Sequence, residues 1–324
     1  MPEYEIAHEF MGWRYVQDTS TNLKAGLQVI PPYERPRPKA LYKFYSLSDY
    51  NLDALQNGYL YAAHPWELND KFDCFDGLID LDTVEDRFVR YYYQIYHEEI
   101  ESEEHYNWFK ANFRKFFPIS LYSGFGIVSL TENIANPIMW AHYASSNHGF
   151  ALKLKLKHLH DKLLGPFPIN YQEEWEPLSL KAPAITFLYL TNIKSKNWEK
   201  EEEWRLVGLG KDMSTPGHME DEEFKNNRKF PYPKEAIEEV LLGNMFTDKM
   251  RKHYDEKLGT VVLALTPNVA YVEQKAQVLE FIAKNGLQAS YTYPDVQNRN
   301  FALSQIRIRL EQVDKYTFLM HEAM

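Results

Sequence analysis

The chain has 324 residues, 44% hydrophobic and 25% charged, proportions of an ordinary folded protein that exclude wholesale disorder. Its 36 Lys and Arg against 46 Asp and Glu leave a formal net charge of −10. That excludes generic duplex binding, because neutralising phosphates needs clustered basic residues.

The first forty residues read as an extension, ending in a proline-rich, charged stretch (31–40, PPYERPRPKA) expected to be an extended linker. Ordered structure is expected to start with an apolar-aromatic strand, LYKFYSL (41–47). Ser48 then caps a short helix with Leu52 and Leu55 on one face, and Gly58 stops it. YLYAA (59–63) reads as a strand, followed by the loop HPWELNDKFDC. Thr83 with Asp86 has the spacing of a capping box and opens a long helical region that Pro118 ends. The charge run EEIESEE (98–104) inside that region faces solvent and is a point where it can split into two helices.

Segment 124–130 reads as a buried strand, and Asn136 followed by Pro137 as the start of a short helix, PIMWAHYA. GFALKLKLK alternates cleanly, with Phe150, Leu152, Leu154 and Leu156 on one face and lysines on the other, which predicts a strand. Further strands are expected at ITFLYLT (185–191) and EEWRLVG (202–208), and a polar loop over 211–229. The remainder alternates: AIEEVLLG, a helix near FTDKMRKHYDEKL, a strand TVVLAL, a helix KAQVLEFIAKN, and strands QASYTY and NFALSQIRIRL. The expected class is α+β, a mixed, mostly antiparallel sheet with interspersed helices. The expected organisation is an extension (1–40), one elaborated domain (41–310) with a helical insertion near 83–117, and a C-terminal tail (311–324).

The single cysteine, Cys74, excludes an internal disulfide and a cysteine-only zinc cage. The N-terminus lacks the basic and apolar regions of a signal peptide, and no apolar run approaches the ~18 residues that span a bilayer. The expected location is the cytoplasm, with no membrane partner. No phosphate loop, GxGxxG, HExxH or nucleophile-elbow pattern occurs. The pairs His142 with His148 and His158 with His160 lack matching ligands at diagnostic spacing, so no metal site is expected; His158 and His160 read as exposed at a strand end.

Four stretches stand above this background. Lys43 sits inside the aromatic strand 41–47. In LNDKFDC (68–74), Asn69-Asp70 is good turn chemistry, and Asp70 and Asp73 add two carboxylates. In MWAHYASSNHG (139–149), Trp140, Tyr143 and Ala144 share a helix face and His142 lies off it, which favours Trp140 as a core anchor. In NWEKEEEWRL (197–206), strand alternation sends Trp204 and Leu206 into the core, while Glu201, Glu203 and Arg205 face a cleft or water. A surface ion pair is the alternative for Glu203 and Arg205.

Together and in this order these stretches resemble the bacterial "domain of unknown function" family numbered 2971. The resemblance rests on 41–46, Asn69-Asp70 with Phe72-Asp73-Cys74, Trp140-x-His142-Tyr143-Ala144 with His148-x-Phe150, and Glu201-x-Glu203-Trp204-Arg205. It covers most of the chain, and the family's name states no activity.

An aromatic strand with a polar residue, a Ser- or Tyr-bearing segment and an E-x-E strand is also similar to the order of key elements in ADP-ribosyltransferase-like folds. That resemblance implies cleavage of NAD at the nicotinamide–ribose bond and transfer of ADP-ribose to a protein or nucleic-acid acceptor. By analogy it implies a toxin or phage-defence role. It implies Glu203 as catalytic carboxylate, Glu201 orienting the acceptor, and Tyr143 or Ser129 in the middle segment. Lys43 or Tyr45 would bind the cofactor from the first strand, where many such sequences carry His or Arg. Trp140, His142 and Arg205 complete the expected cofactor contacts. Two alternatives stand beside it. One is a non-catalytic nucleotide-sensing or protein-interaction module in which the same residues are scaffold. The other is a metal-dependent nuclease or hydrolase using Asp70, Asp73 and Glu203 with His142 or His148.

Overall fold

A computed structural model describes residues 5–96, 102–210, 213–216, 227–255, 260–266, 270–296, 298–299 and 302–322. The class is α+β. Eleven strands form the principal sheet. In chain order they are β1 (Ala40–Tyr45), β2 (Phe125–Thr131), β3 (Phe150–Lys155), β4 (Leu163–Pro168), β5 (Glu203–Leu209) and β6 (Ile237–Leu242). The C-terminal part adds β7 (Arg251–Asp255), β8 (Thr260–Ala264), β9 (Ala289–Pro294), β10 (Leu303–Gln312) and β11 (Thr317–Glu322). Their spatial order is β7-β8-β11-β10-β9-β6-β3-β1-β2-β5-β4. The pairings are antiparallel except β6 with β9, which are parallel; the chain between them runs through β7, β8 and the helix Val272–Asn285. No described helix is long and apolar enough to cross a membrane.

Side-chain alternation splits the central strands between two cores. Leu130, Leu152, Leu154, Trp204 and Leu206 face the helices Asp49–Asn57 and Val272–Asn285. Phe125, Ile127 and Val207 face the other way, toward the helices Glu103–Tyr122 and Pro183–Asn192. Local signals act as expected at several ends. The Ser48 side chain accepts from the Asn51 N–H, and Gly58 ends that helix in the left-handed region at φ 64. The Asn136 side chain accepts from the Ile138 N–H, with Pro137 in the first turn.

Several expectations are corrected. The run 185–191 is helical, inside Pro183–Asn192, rather than a strand. It is buried nearly all round, so its apolar residues carry no visible period, and Pro183 at the helix start is the signal that decides. The segment near FTDKMRKHYDEKL holds the exposed edge strand β7 instead of a helix, because pairing with β8 overrides local propensity; residues 256–259 lie outside the described residues. Pro118 does not end its helix, which runs to Tyr122. The missing N–H is tolerated while Phe113, Phe117 and Tyr122 anchor the last turns. Thr83 bonds the Asp80 carboxylate rather than capping a helix, and the Glu85 carbonyl takes the first bonds of Asp86–Tyr96. Of the charge run 98–104, residues 98–101 lie outside the described residues; helix resumes at Glu103. Most of the polar loop 211–229 also lies outside them.

The N-terminal residues, expected as an extension, form a three-stranded antiparallel sheet, Glu5–Phe10, Trp13–Asp18 and Leu27–Ile30. Phe10, Trp13 and Tyr15 enter the second core, where Phe10 and Tyr15 meet Tyr189 of the buried helix, with ring centroids 5.5 Å (Phe10) and 5.3 Å (Tyr15) away. Residues 317–322, expected in a tail, are the strand β11.

Candidate functional site

The site is a buried ionic cluster on the second face of β2 and β5. Register places Glu203 opposite Thr131 and Arg205 opposite Ser129. Glu201 is not on the strand: it closes a 3-10 turn, Lys196–Glu201, and Glu202 reverses the chain in the left-handed region at φ 48. Both carboxylates therefore converge on one cation. Lys194 Nζ lies 2.7 Å from Glu201 Oε2 and 2.9 Å from Glu203 Oε2. Asp73 Oδ2 is 3.6 Å from the same nitrogen. Lys194 arrives on the short strand Ile193–Ser195, parallel to Asn170–Gln172, directly after the buried helix.

Arg205 closes the other side. Its guanidinium forks onto Asp73, at 2.8 Å from Oδ1 and 2.5 Å from Oδ2, and its Nε donates to Glu203 Oε1 at 2.8 Å. A further N–H donates to the Thr191 carbonyl at 2.8 Å. Neither Glu203 nor Arg205 faces a cleft or water; they are 2% and 0% exposed. The strand is covered on both faces, so alternation sorts side chains between two cores rather than between core and solvent.

The rim is more open. The Tyr143 hydroxyl donates to Glu201 Oε1 at 2.5 Å and accepts from exposed Asn69 at 2.8 Å. Half-buried Lys43 donates to the Ser129 carbonyl at 3.2 Å. Half-buried Tyr171 accepts from the Glu203 N–H at 2.9 Å. The Trp198 ring lies 5.2 Å from Lys194 Nζ. Three cations, Lys43, Lys194 and Arg205, thus balance three carboxylates, Asp73, Glu201 and Glu203.

This balance sets protonation. Burial alone would raise the Glu203 carboxyl, but Arg205 and Lys194 overcome it and hold it well below the usual carboxylate range. Burial alone would lower Lys194, but Glu203, Asp73 and Glu201 hold it above the ordinary lysine value. Burial lowers Lys43, partly offset by Glu203. Burial and then Glu201 raise Tyr143, which keeps its phenol a donor. Burial, reinforced by Asp73, raises the Cys74 thiol, so it is not a ready nucleophile.

Of the residues expected from the sequence, Lys43, Ser129, Tyr143, Glu201, Glu203 and Arg205 come together here, and Asn69, Asp73 and Cys74 join them. Three do not. Tyr45 is stacked on Phe150 in the first core. Trp140 is fully buried against Phe44 and donates its Nε1–H to the Ile134 carbonyl. His142 is exposed on the outer side of its helix turn. Lys194 and Tyr171 were missed. Asp73, Glu201 and Glu203 outnumber Arg205, and that excess of acid was the available signal that a further buried cation is needed. Among the described residues no group of three or more His, Cys, Asp or Glu is placed to hold a metal ion; Lys194 and Arg205 already occupy the carboxylates.

No protein-family model matches the chain, and neither a curated protein nor a solved structure matches it.

Proposed function

We propose that the chain is an ADP-ribosyltransferase-like enzyme that uses NAD and passes ADP-ribose to a protein or nucleic-acid acceptor. The observation that carries this reading is the convergence of Glu201, Glu203 and Tyr143 around Lys194, with Lys43 and Ser129 beside them. NAD supplies a glycosidic bond whose cleavage has an oxocarbenium-like transition state and releases nicotinamide. Preorganised negative charge stabilises such a state. Half-buried Tyr143, at the rim, would touch the ribose and the acceptor, and buried Glu201 would take the acceptor's proton through it, the Tyr143 hydroxyl accepting that proton as it passes its own to Glu201. Glu203, Lys194, Arg205 and Asp73 would act as positioning residues that hold the Glu201 carboxylate and its negative field. Lys43 fits a phosphate contact: one of its three N–H donors is used on Ser129, which leaves two.

The test is nicotinamide release from NAD by the full chain, read by chromatography. Glu201→Gln keeps the shape and is expected to lower release by roughly 10²–10³-fold; it also takes a counter-ion from buried Lys194, so its melting temperature is expected to fall, and both proteins are assayed well below it. Wild-type release no faster than buffer, with an acceptor lysate present, would rule the reading out.

A second reading, a nucleotide-sensing or protein-interaction module, is favoured by the near-complete burial of Glu203, Lys194 and Arg205, which suits an internal lock as well as a reactive centre. It predicts stabilisation by NAD or ADP-ribose, about 2.7 kcal/mol at a hundredfold excess over Kd, without turnover.

A further inference from the structure

We infer that the cavity between the N-terminal strand Leu27–Ile30 and β4 binds a small phosphomonoester. The cavity measures about 250 Å³ and is walled by Lys24, Arg35 and Arg37 without a single carboxylate in its lining. In a chain of net charge −10 such a wall is unusual; Lys24 and Arg35 each meet a carboxylate outside the lining, and Arg37 supplies the charge left to attract an anion.

The arginines are held but not saturated. Arg35 lies over the Trp204 ring at 4.4 Å and spends one nitrogen on Glu132 at 3.0 Å. Arg37 donates one nitrogen to the Gly165 carbonyl and meets no carboxylate among the described residues. Lys24 reaches Asp161 at 3.3 Å. Arg35 and Arg37 are two apart on the irregular proline-rich segment, and both line the same cavity. Unused guanidinium N–H groups match the paired oxygens of a phosphate, which a lysine contacts only as a point charge. Pro166, Pro168 and Trp204 supply apolar wall, and the volume exceeds that of inorganic phosphate, so room remains for an organic group. The site is separate from the ionic cluster: Trp204 stands on β5 between Glu203 and Arg205 but faces the opposite side.

The test is calorimetric titration of the full chain with ribose 5-phosphate, AMP and inorganic phosphate at fixed ionic strength. Arg37→Gln removes an exposed side chain and is expected to keep the melting temperature while raising Kd for the organic phosphates at least tenfold. Lys284→Gln, which removes an exposed positive charge outside the cavity lining, is expected to bind them as wild type does. An unchanged Kd in Arg37→Gln, or no saturable binding of any of the three, would overturn the assignment. Inorganic phosphate binding as tightly as ribose 5-phosphate would overturn the organic part of it.

Discussion

Buried charges are stable only where counter-ions and hydrogen-bond donors replace the water they lose, and at this scale the chain is unusually committed. Lys194 and Arg205 together take hydrogen bonds or ion pairs to Asp73, Glu201 and Glu203. His64 shows the same rule with the opposite outcome. It is buried, its Nδ1 accepts the Trp66 N–H at 3.0 Å, and burial followed by the charge of Arg228 lowers its pKa to about 4. The unfolded chain, with an ordinary imidazole near 6.5, therefore binds the proton first. Stability falls as pH drops from about 6.5 toward 4, by roughly 2 kcal/mol between pH 7 and pH 5. The depressed Glu203 carboxyl contributes stability that persists above its unfolded value near 4.5, so it does not act in this window. Urea titrations at both pH values test this: His64→Asn, which keeps a cap without titrating, should lose most of the difference. An identical pH dependence in wild type and variant would contradict it.

The elements carry these residues by close approach. Segment 62–78 brings Asn69 and Asp73 to the cluster, and it is held to β2 by reciprocal bonds between Ala63 and Ile127, each 2.8 Å. Gly126 makes that approach possible, since a Cβ there would stand 2.5 Å from the Ala62 carbonyl oxygen and 2.7 Å from the Ala62 Cβ. Gly126→Ala is expected to destabilise by about 1–3 kcal/mol, as overpacking of backbone against backbone does. A chemical-denaturation midpoint equal to wild type would show that segment 62–78 yields without cost. The buried helix Pro183–Asn192 is one of the elements that sequence pattern misread, and it matters for the site because it carries the Thr191 carbonyl and leads directly into Lys194.

For the whole molecule, the N-terminal sheet is part of the second core. Phe10, Trp13 and Tyr15 are buried there, and burial of each large side chain contributes about 1.5–3 kcal/mol. Their sum is comparable to the 5–15 kcal/mol that holds an ordinary domain together. Deleting residues 1–30 is therefore expected to abolish a cooperative thermal transition, and a truncated chain melting at the wild-type temperature would refute this. The same deletion removes Lys24, one wall of the cationic cavity.

Period, caps and composition legible in the sequence determined the α+β class, the Ser48 and Asn136 helix starts, the strand at Phe150 and the pairing of Trp204 with the core. They also marked Glu201, Glu203, Arg205, Tyr143 and Lys43 as unusual, because charged and aromatic residues interleaved at short range are rare in plain core or plain surface. Only the tertiary structure decided that Glu203 and Arg205 are sealed from water, that Lys194 and Asp73 complete them, and that the N-terminal residues belong to the core. Those facts depend on contacts between segments far apart in the chain, and local periodicity holds no record of them.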